Sequence, residues 1–221
     1  MIQEDSKDTR QRVLVSAMAV LAEKPFRDAK VAEICRRAGA NVASVNYYFG
    51  SKEQLYKEAL AHAHTLTDQI FPVPDMNRME PETWLAEFVA VMIDRIFCDD
   101  QGGWFSRMLF HAMSDPSPMF REVIQTTHLS EIQMLKQVIA RMFHDPDPES
   151  VQVRMCVLSV MSQCMFLGYN RAARQAHFSG GDQKTRCRML VEHITSFSLA
   201  GIQAGIAHSN GALSCEPHPY F

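Results

Sequence analysis

No run in this 221-residue chain is both long and apolar enough to suggest a membrane span. The longest apolar stretch, near Met155 to Tyr169, is too short and is broken by Ser159, Ser162 and Gln163. Cysteine is sparse: Cys35, Cys98, Cys156, Cys164, Cys187 and Cys215 form no CxxC pair, and four of the six sit in apolar, helix-like stretches. That usage fits reduced thiols in a cytosol. The polar, acidic opening Met1-Ile2-Gln3-Glu4-Asp5 lacks the profile of a signal peptide, so a soluble, cytoplasmic protein is expected. There is no phosphate loop, no dinucleotide glycine motif, no HExxH and no nucleophile setting, so neither an enzyme nor a cofactor is expected. Metal ligation is not expected either. His62 and His64 are two apart, on different faces of a helix, and Cys156 and Cys164 read as small core residues. Basic charge is not in excess, with 22 Lys and Arg against 25 Asp and Glu, a net −3.

What is present is helical period. Hydrophobic residues at 47% and charged residues at 21% suit a soluble globule with a real core. Val13, Ala17, Val20 and Leu21 repeat at three and four residues within about Lys7–Glu23, and Lys24-Pro25 ends that helix. A short helix follows over Lys30–Ala38, with Val31, Ile34, Cys35 and Ala38 on one face and Gly39 as its stop. A second short helix spans Val42–Tyr48, closed by Gly50. Ser51-Lys52-Glu53-Gln54 has capping-box spacing and opens a long helix to about Ile70. Phe71-Pro72-Val73-Pro74-Asp75 is the best internal boundary. Further helices are expected at Glu82–Phe97, Trp104–Met113, Pro118–Phe143, Glu149–Arg174 and Lys184–Ala207. No strand, repeat or low-complexity tract is visible, so the fold expected is all-α. Residues 1–55 would form a helix-turn-helix DNA-binding domain, linked through helix 51–70 to a ligand-binding and dimerisation domain over 71–221.

The helix-turn-helix at residues 30–48 carries the functional reading. A tight turn, Gly39-Ala40-Asn41, holds the second helix at a steep angle to the first, and an α-helix fits the DNA major groove. On that helix Ser44 can donate or accept, and an outward Asn46 can pair with adenine. Tyr47 and Tyr48 can reach a phosphate or a thymine methyl, and Val42 and Ala43 can touch thymine. Asn41 can cap the helix. Lys52, in the first turn of the long helix, adds a full charge where backbone N–H groups already favour a phosphate. Arg36 and Arg37 are further phosphate candidates.

Ile34-Cys35-Arg36-Arg37-Ala38-Gly39-Ala40-Asn41, followed by Asn46-Tyr47-Tyr48-Phe49-Gly50-Ser51-Lys52-Glu53-Gln54-Leu55-Tyr56, resembles the DNA-binding signature of the TetR family of bacterial regulators over about residues 10–58. The resemblance implies a three-helix DNA-binding domain on a larger helical ligand-binding and dimerisation domain. It places Ser44, Tyr47, Tyr48 and Lys52 at DNA-contact positions. Asp115-Pro116-Ser117-Pro118, Ser162-Gln163-Cys164 and the segment His193-Ile194 to Gly201-Ile202 are similar to the CecR subgroup. Ala29, Ala40-Asn41 and Asn46 depart from the common family residues. They motivate an alternative, a helical ligand-binding or adaptor protein that has lost operator binding.

The helix from Glu149 is apolar nearly all round, so it must be buried on two sides, one of them against a partner. The last helix offers Ser198, Gly201, Ala204 and Gly205 for close approach. A homodimer through these two long C-terminal helices would set two reading helices about 34 Å apart on a palindromic operator. Fourteen methionines and thirteen phenylalanines suit a pocket for a small apolar or aromatic effector. Trp104, Phe105, Met108, His111, Met165, Phe166, Tyr169 and Asn170 are the candidates to line it. The expectation is a ligand-responsive regulator that represses by binding double-stranded DNA. Its charge divides accordingly: residues 1–60 hold ten basic and eight acidic side chains, a net +2, while the remainder holds twelve and seventeen, a net −5.

Overall fold

The computed structural model describes residues 2–113, 129–145, 147–169 and 182–209. Among them there is no strand, and the elements in order are α1 (Ile2–Glu23), α2 (Val31–Ala38), α3 (Ala43–Phe49), α4 (Lys52–Ile70) and α5 (Pro81–Phe97). A 3₁₀ turn (Gln101–Gly103), α6 (Trp104–Met113), α7 (Leu129–Phe143), α8 (Val151–Tyr169) and α9 (Gln183–Ser209) follow. The fold is all-α. The helix starts and ends expected at Pro118 and Arg174 lie outside the described residues, as does Asn170. The first helix begins at Ile2 rather than Lys7.

The chain divides into two compact units. One holds Met1–Pro72, Asp94–Leu129 and Gly168–Arg171, and the other holds Val73–Ile93, Ser130–Leu167 and Ala172–Phe221. The first unit therefore takes in α6, which lies well beyond the proline-rich break at 71–75. A linear boundary could not anticipate that return of the chain.

In the first unit the α1 stripe Val13, Ala17, Val20 and Leu21 is buried, as are Ile34, Cys35 and Ala38 of α2 and Val45 and Phe49 of α3. Leu55, Tyr56, Ala59, Leu60, Ala63 and Thr67 form the inner face of α4. The period of 3.6 residues puts each set on one side of its helix. The C-terminal end of α4 is fastened by hydrogen bonds. The Thr67 hydroxyl donates to the Gly102 carbonyl at 2.8 Å. Buried Arg95 donates to the Phe71 carbonyl and, at 2.7 Å, to Asp68. Arg107 then gathers the carbonyls of Cys98, Asp99 and Asp100 around the turn that starts α6. Gly103 is required here, because an added Cβ would lie 1.9 Å from the Cys98 carbonyl oxygen.

In the second unit Trp84 stacks on Phe88 at 4.9 Å and donates its indole N–H to the Pro74 carbonyl. Leu135, Val138, Ile139, Val153, Val160 and Cys164 are buried. Burial pushes the Cys164 thiol up to about 12, so it is a core residue and not a nucleophile. On α8 the apolar circumference divides in two. Val153, Val157, Val160 and Met161 turn inward, while Val151, Met155, Leu158 and Phe166 stay 58–61% exposed. The small residues of α9 divide as well. A Cβ on Gly205 would meet the Phe143 ring at 2.9 Å, whereas one on Gly201 would meet nothing within 4 Å.

Candidate nucleic-acid interface

The helix-turn-helix is built by local rules. Gly39 adopts φ +61°, a left-handed conformation that costs glycine little. Its N–H bonds the Arg36 carbonyl at 3.3 Å and the Ala40 N–H bonds the Cys35 carbonyl at 2.9 Å, the paired closure that ends a helix sharply. Asn41 then opens α3. Its side-chain oxygen accepts from the Ala43 N–H at 2.9 Å, and its carbonyl accepts from the Ser44 N–H at 2.9 Å. Val45 and Phe49, four apart, anchor α3 inward. Gly50 at φ +76° lets the chain turn, and the Ser51 hydroxyl oxygen accepts from the Gln54 N–H at 3.1 Å to cap α4.

This geometry leaves one face of α3 in solvent. Tyr47 is 80% exposed and Val42 51%, with Ala43 and Asn46 also exposed and Ser44 and Tyr48 half-buried. The Tyr47 and Tyr48 rings meet edge to face at 4.8 Å, so each limits the rotamers of the other. Asn41 is exposed, with its oxygen already used and its amide N–H groups left for an acceptor.

The cations differ from one another. Arg36 is exposed on α2. Arg37 is not the open phosphate ligand its position in the sequence suggests. Its Nη1 and Nη2 each lie 2.7 Å from a Glu23 oxygen, and Nη2 lies 2.8 Å from Glu33. Those partners hold its pKa still further above the ordinary arginine value. Lys52 is anchored rather than loose. Its ammonium donates to the Phe26 carbonyl at 2.7 Å and sits 4.3 Å above the Phe26 ring. Burial lowers its pKa, against the pull of Glu53 and Asp28. An ammonium has three donors, so two remain for a phosphate. Glu23, Glu33 and Phe26 were missed from sequence. The i,i+4 spacing of Glu33 and Arg37 was a readable signal, but Glu23 and Phe26 approach only through folding. Arg10 is likewise held, in an ion pair with Glu58 and 4.9 Å over the Phe49 ring.

The expected effector-pocket residues fall in different units. Phe105 and Met108 are buried and Trp104 half-buried in the first unit. His111 is half-buried there, and burial is the main cause lowering its pKa. In the second unit Met165 is half-buried and Phe166 is 58% exposed, a surface residue. The side chain of Tyr169, like Asn170, lies outside the described residues.

An exposed, capped helix presenting aromatic and amide side chains, with cations beside it, is the arrangement of a helix-turn-helix. Residues 13–59 match the profile described as bacterial regulatory proteins, tetR family. Residues 81–202, more than half the chain, match the C-terminal domain of the HTH-type transcriptional dual regulator CecR. The chain belongs to the TetR family and carries a CecR-type C-terminal domain. It is 31% identical over 86 residues to the HTH-type transcriptional repressor NicS of Pseudomonas putida strain KT2440, 39% of this chain and 41% of that protein. It is 26% identical over 136 residues to the regulator SrpR of Pseudomonas putida, 61% of each chain. The chain therefore spans about half the length of these relatives. A transcriptional regulator from Rhodococcus sp. Rha1 has the same fold, with a TM-score of 0.67 at 16% identity over 89% of this chain and 96% of that one. These proteins are regulators and not enzymes. Among the described residues no helix is long and apolar enough to cross a membrane.

Proposed function

We propose that this regulator is a ligand-responsive cytoplasmic repressor that binds a palindromic operator as a homodimer and is released by a small apolar or aromatic effector. Residues 1–55 read DNA, and residues 71–221 pair the subunits and take the effector. The observation that carries the reading is a pair of exposed stripes. On α8, Val151, Met155, Leu158 and Phe166 recur at helical spacing. On α9, Met189 and Phe197, 58% and 62% exposed, lie on one face with Gly201. Contiguous apolar surface of this kind marks an association site, and a two-fold copy is the commonest occupant of such a face in homo-oligomers. The open space at Gly201 lets a second helix approach closely.

On DNA, Tyr47, Asn46, Val42, Ala43 and Ser44 read base edges, while Tyr48, Asn41, Arg36 and Lys52 hold phosphates. Arg37 contributes only by exchanging a glutamate for a phosphate. Repression is carried over from the name of NicS. For the effector, Trp104, Phe105 and Met108 are the contact candidates, their flexible and aromatic side chains adapting to an apolar ligand. The effector must bind the released state better than the DNA-bound state by the coupling free energy. The test is selection from random duplexes together with sedimentation of the protein alone. Enrichment of an inverted repeat with half-sites one helical turn apart, by a dimer, is expected. A monomer that enriches no repeat would overturn the reading.

A further inference from the structure

We infer that Glu23 is a positioning residue for the DNA-reading helix pair. Glu23 is the last residue of α1. Its carboxylate takes both arms of Arg37, in the last turn of α2, at 2.7 Å each. Arg37 passes the contact to Glu33 at 2.8 Å, and Glu33 accepts from Lys24 at 2.8 and 3.1 Å. The four charges alternate in sign along these contacts, so each cation in the cluster has a carboxylate partner.

The consequence is geometric. A planar guanidinium bound two-pronged by a carboxylate has a fixed orientation as well as a fixed distance. Arg37 lies two residues before Gly39, where α2 closes and the turn to α3 begins. The place of the Arg37 side chain therefore sets where the turn departs and how α3 is aimed. A phosphate role for Arg37 requires the opposite, a guanidinium that leaves its carboxylates when DNA arrives.

The two roles separate in salt titrations of the full-length protein on two probes, the duplex enriched by selection and a mixed-sequence duplex of equal length. Glu23→Gln and Arg37→Gln are each expected to weaken the selected duplex about five- to tenfold. On the mixed duplex they should change affinity less than about twofold, with the salt slope unaltered. The Glu23→Gln, Arg37→Gln double variant should lose no more than either single variant, since the pair acts as a unit. Circular dichroism and melting temperature establish that each variant is folded. A variant that unfolds is replaced by Glu23→Asp or Arg37→Lys, which keep the charge and misplace it. An Arg37→Gln salt slope lower by about one unit per subunit on both duplexes would overturn the inference in favour of phosphate binding. Unchanged binding by both single variants would overturn it as well. If selection enriches no duplex, the operator reading fails, and the slope on the mixed duplex still decides the role of Arg37.

Discussion

Removing the Lys52 charge tests how the recognition unit is held to DNA. The ammonium is committed at 2.7 Å to the Phe26 carbonyl, and two of its donors are left for a phosphate. Each neutralised phosphate contributes about 0.9 to the dependence of log affinity on log salt. A dimer uses the residue twice, so Lys52→Ala should lower the slope by about 1.8. Between about 50 and about 200 mM salt, a fourfold change, the gap between wild type and variant should narrow about 12-fold. The loss should be equal on specific and mixed duplexes, because a phosphate contact carries no sequence information. Removal also frees the Phe26 carbonyl and the face of its ring, costing about 1 kcal/mol. In a chain of this size that is a fall of about 2–4 °C in melting temperature. Fluorescence anisotropy over a salt series, run well below that transition, separates the two effects. An unchanged slope with the melting temperature lowered would refute the phosphate role and leave Lys52 as a brace for the α1–α2 loop.

Other outcomes follow from single contacts. Gly103→Ala drives a Cβ into the Cys98 carbonyl at 1.9 Å, while Gly102→Ala meets chiefly the end of the Phe71 side chain at 2.7 Å. Overpacking against backbone should cost about 3 kcal/mol or more and against a mobile ring about 1 kcal/mol, so thermal melts should rank Gly103→Ala the less stable; the reverse order would contradict the turn geometry. Phe197 is 62% exposed, so pairing would cover about 120 Å² of its side chain per copy, about 3 kcal/mol before the costs of association. Phe197→Asp should therefore raise the dimer dissociation constant by at least about 100-fold in sedimentation velocity, and an unaffected dimer would move the interface elsewhere. Burial keeps the His111 pKa below its ordinary value. The unfolded chain then takes up the proton first, so the stability linked to His111 is complete above about pH 6.5 and is lost as pH falls through the folded pKa. The difference in melting temperature between wild type and His111→Gln should shrink in that direction from about pH 7.5 to about pH 5.5, and a constant difference would show the imidazole is not buried neutral.

The all-α architecture and the reading element follow from residues close together in the chain. Gly39 stops α2 because a left-handed residue was needed within one turn of it. Asn41 and Ser51 cap helices through N–H groups two and three positions on. The α1, α3 and α4 stripes turned inward because a 3.6-residue period leaves one side to bury. Each of these is a local rule, and local rules can be read from a sequence. Partnership between distant residues is different, because it depends on where the chain returns. Nothing near Arg37 announced that Glu23, 14 residues earlier, would take both its arms, nor that the Phe26 carbonyl would anchor Lys52. The sequence by itself determined which helices form and which face of each is apolar. Only the tertiary structure decided which charges are already paired and which small residues of α9 stay open. Pairing of that kind is set by packing over long separations, where no period constrains the spacing.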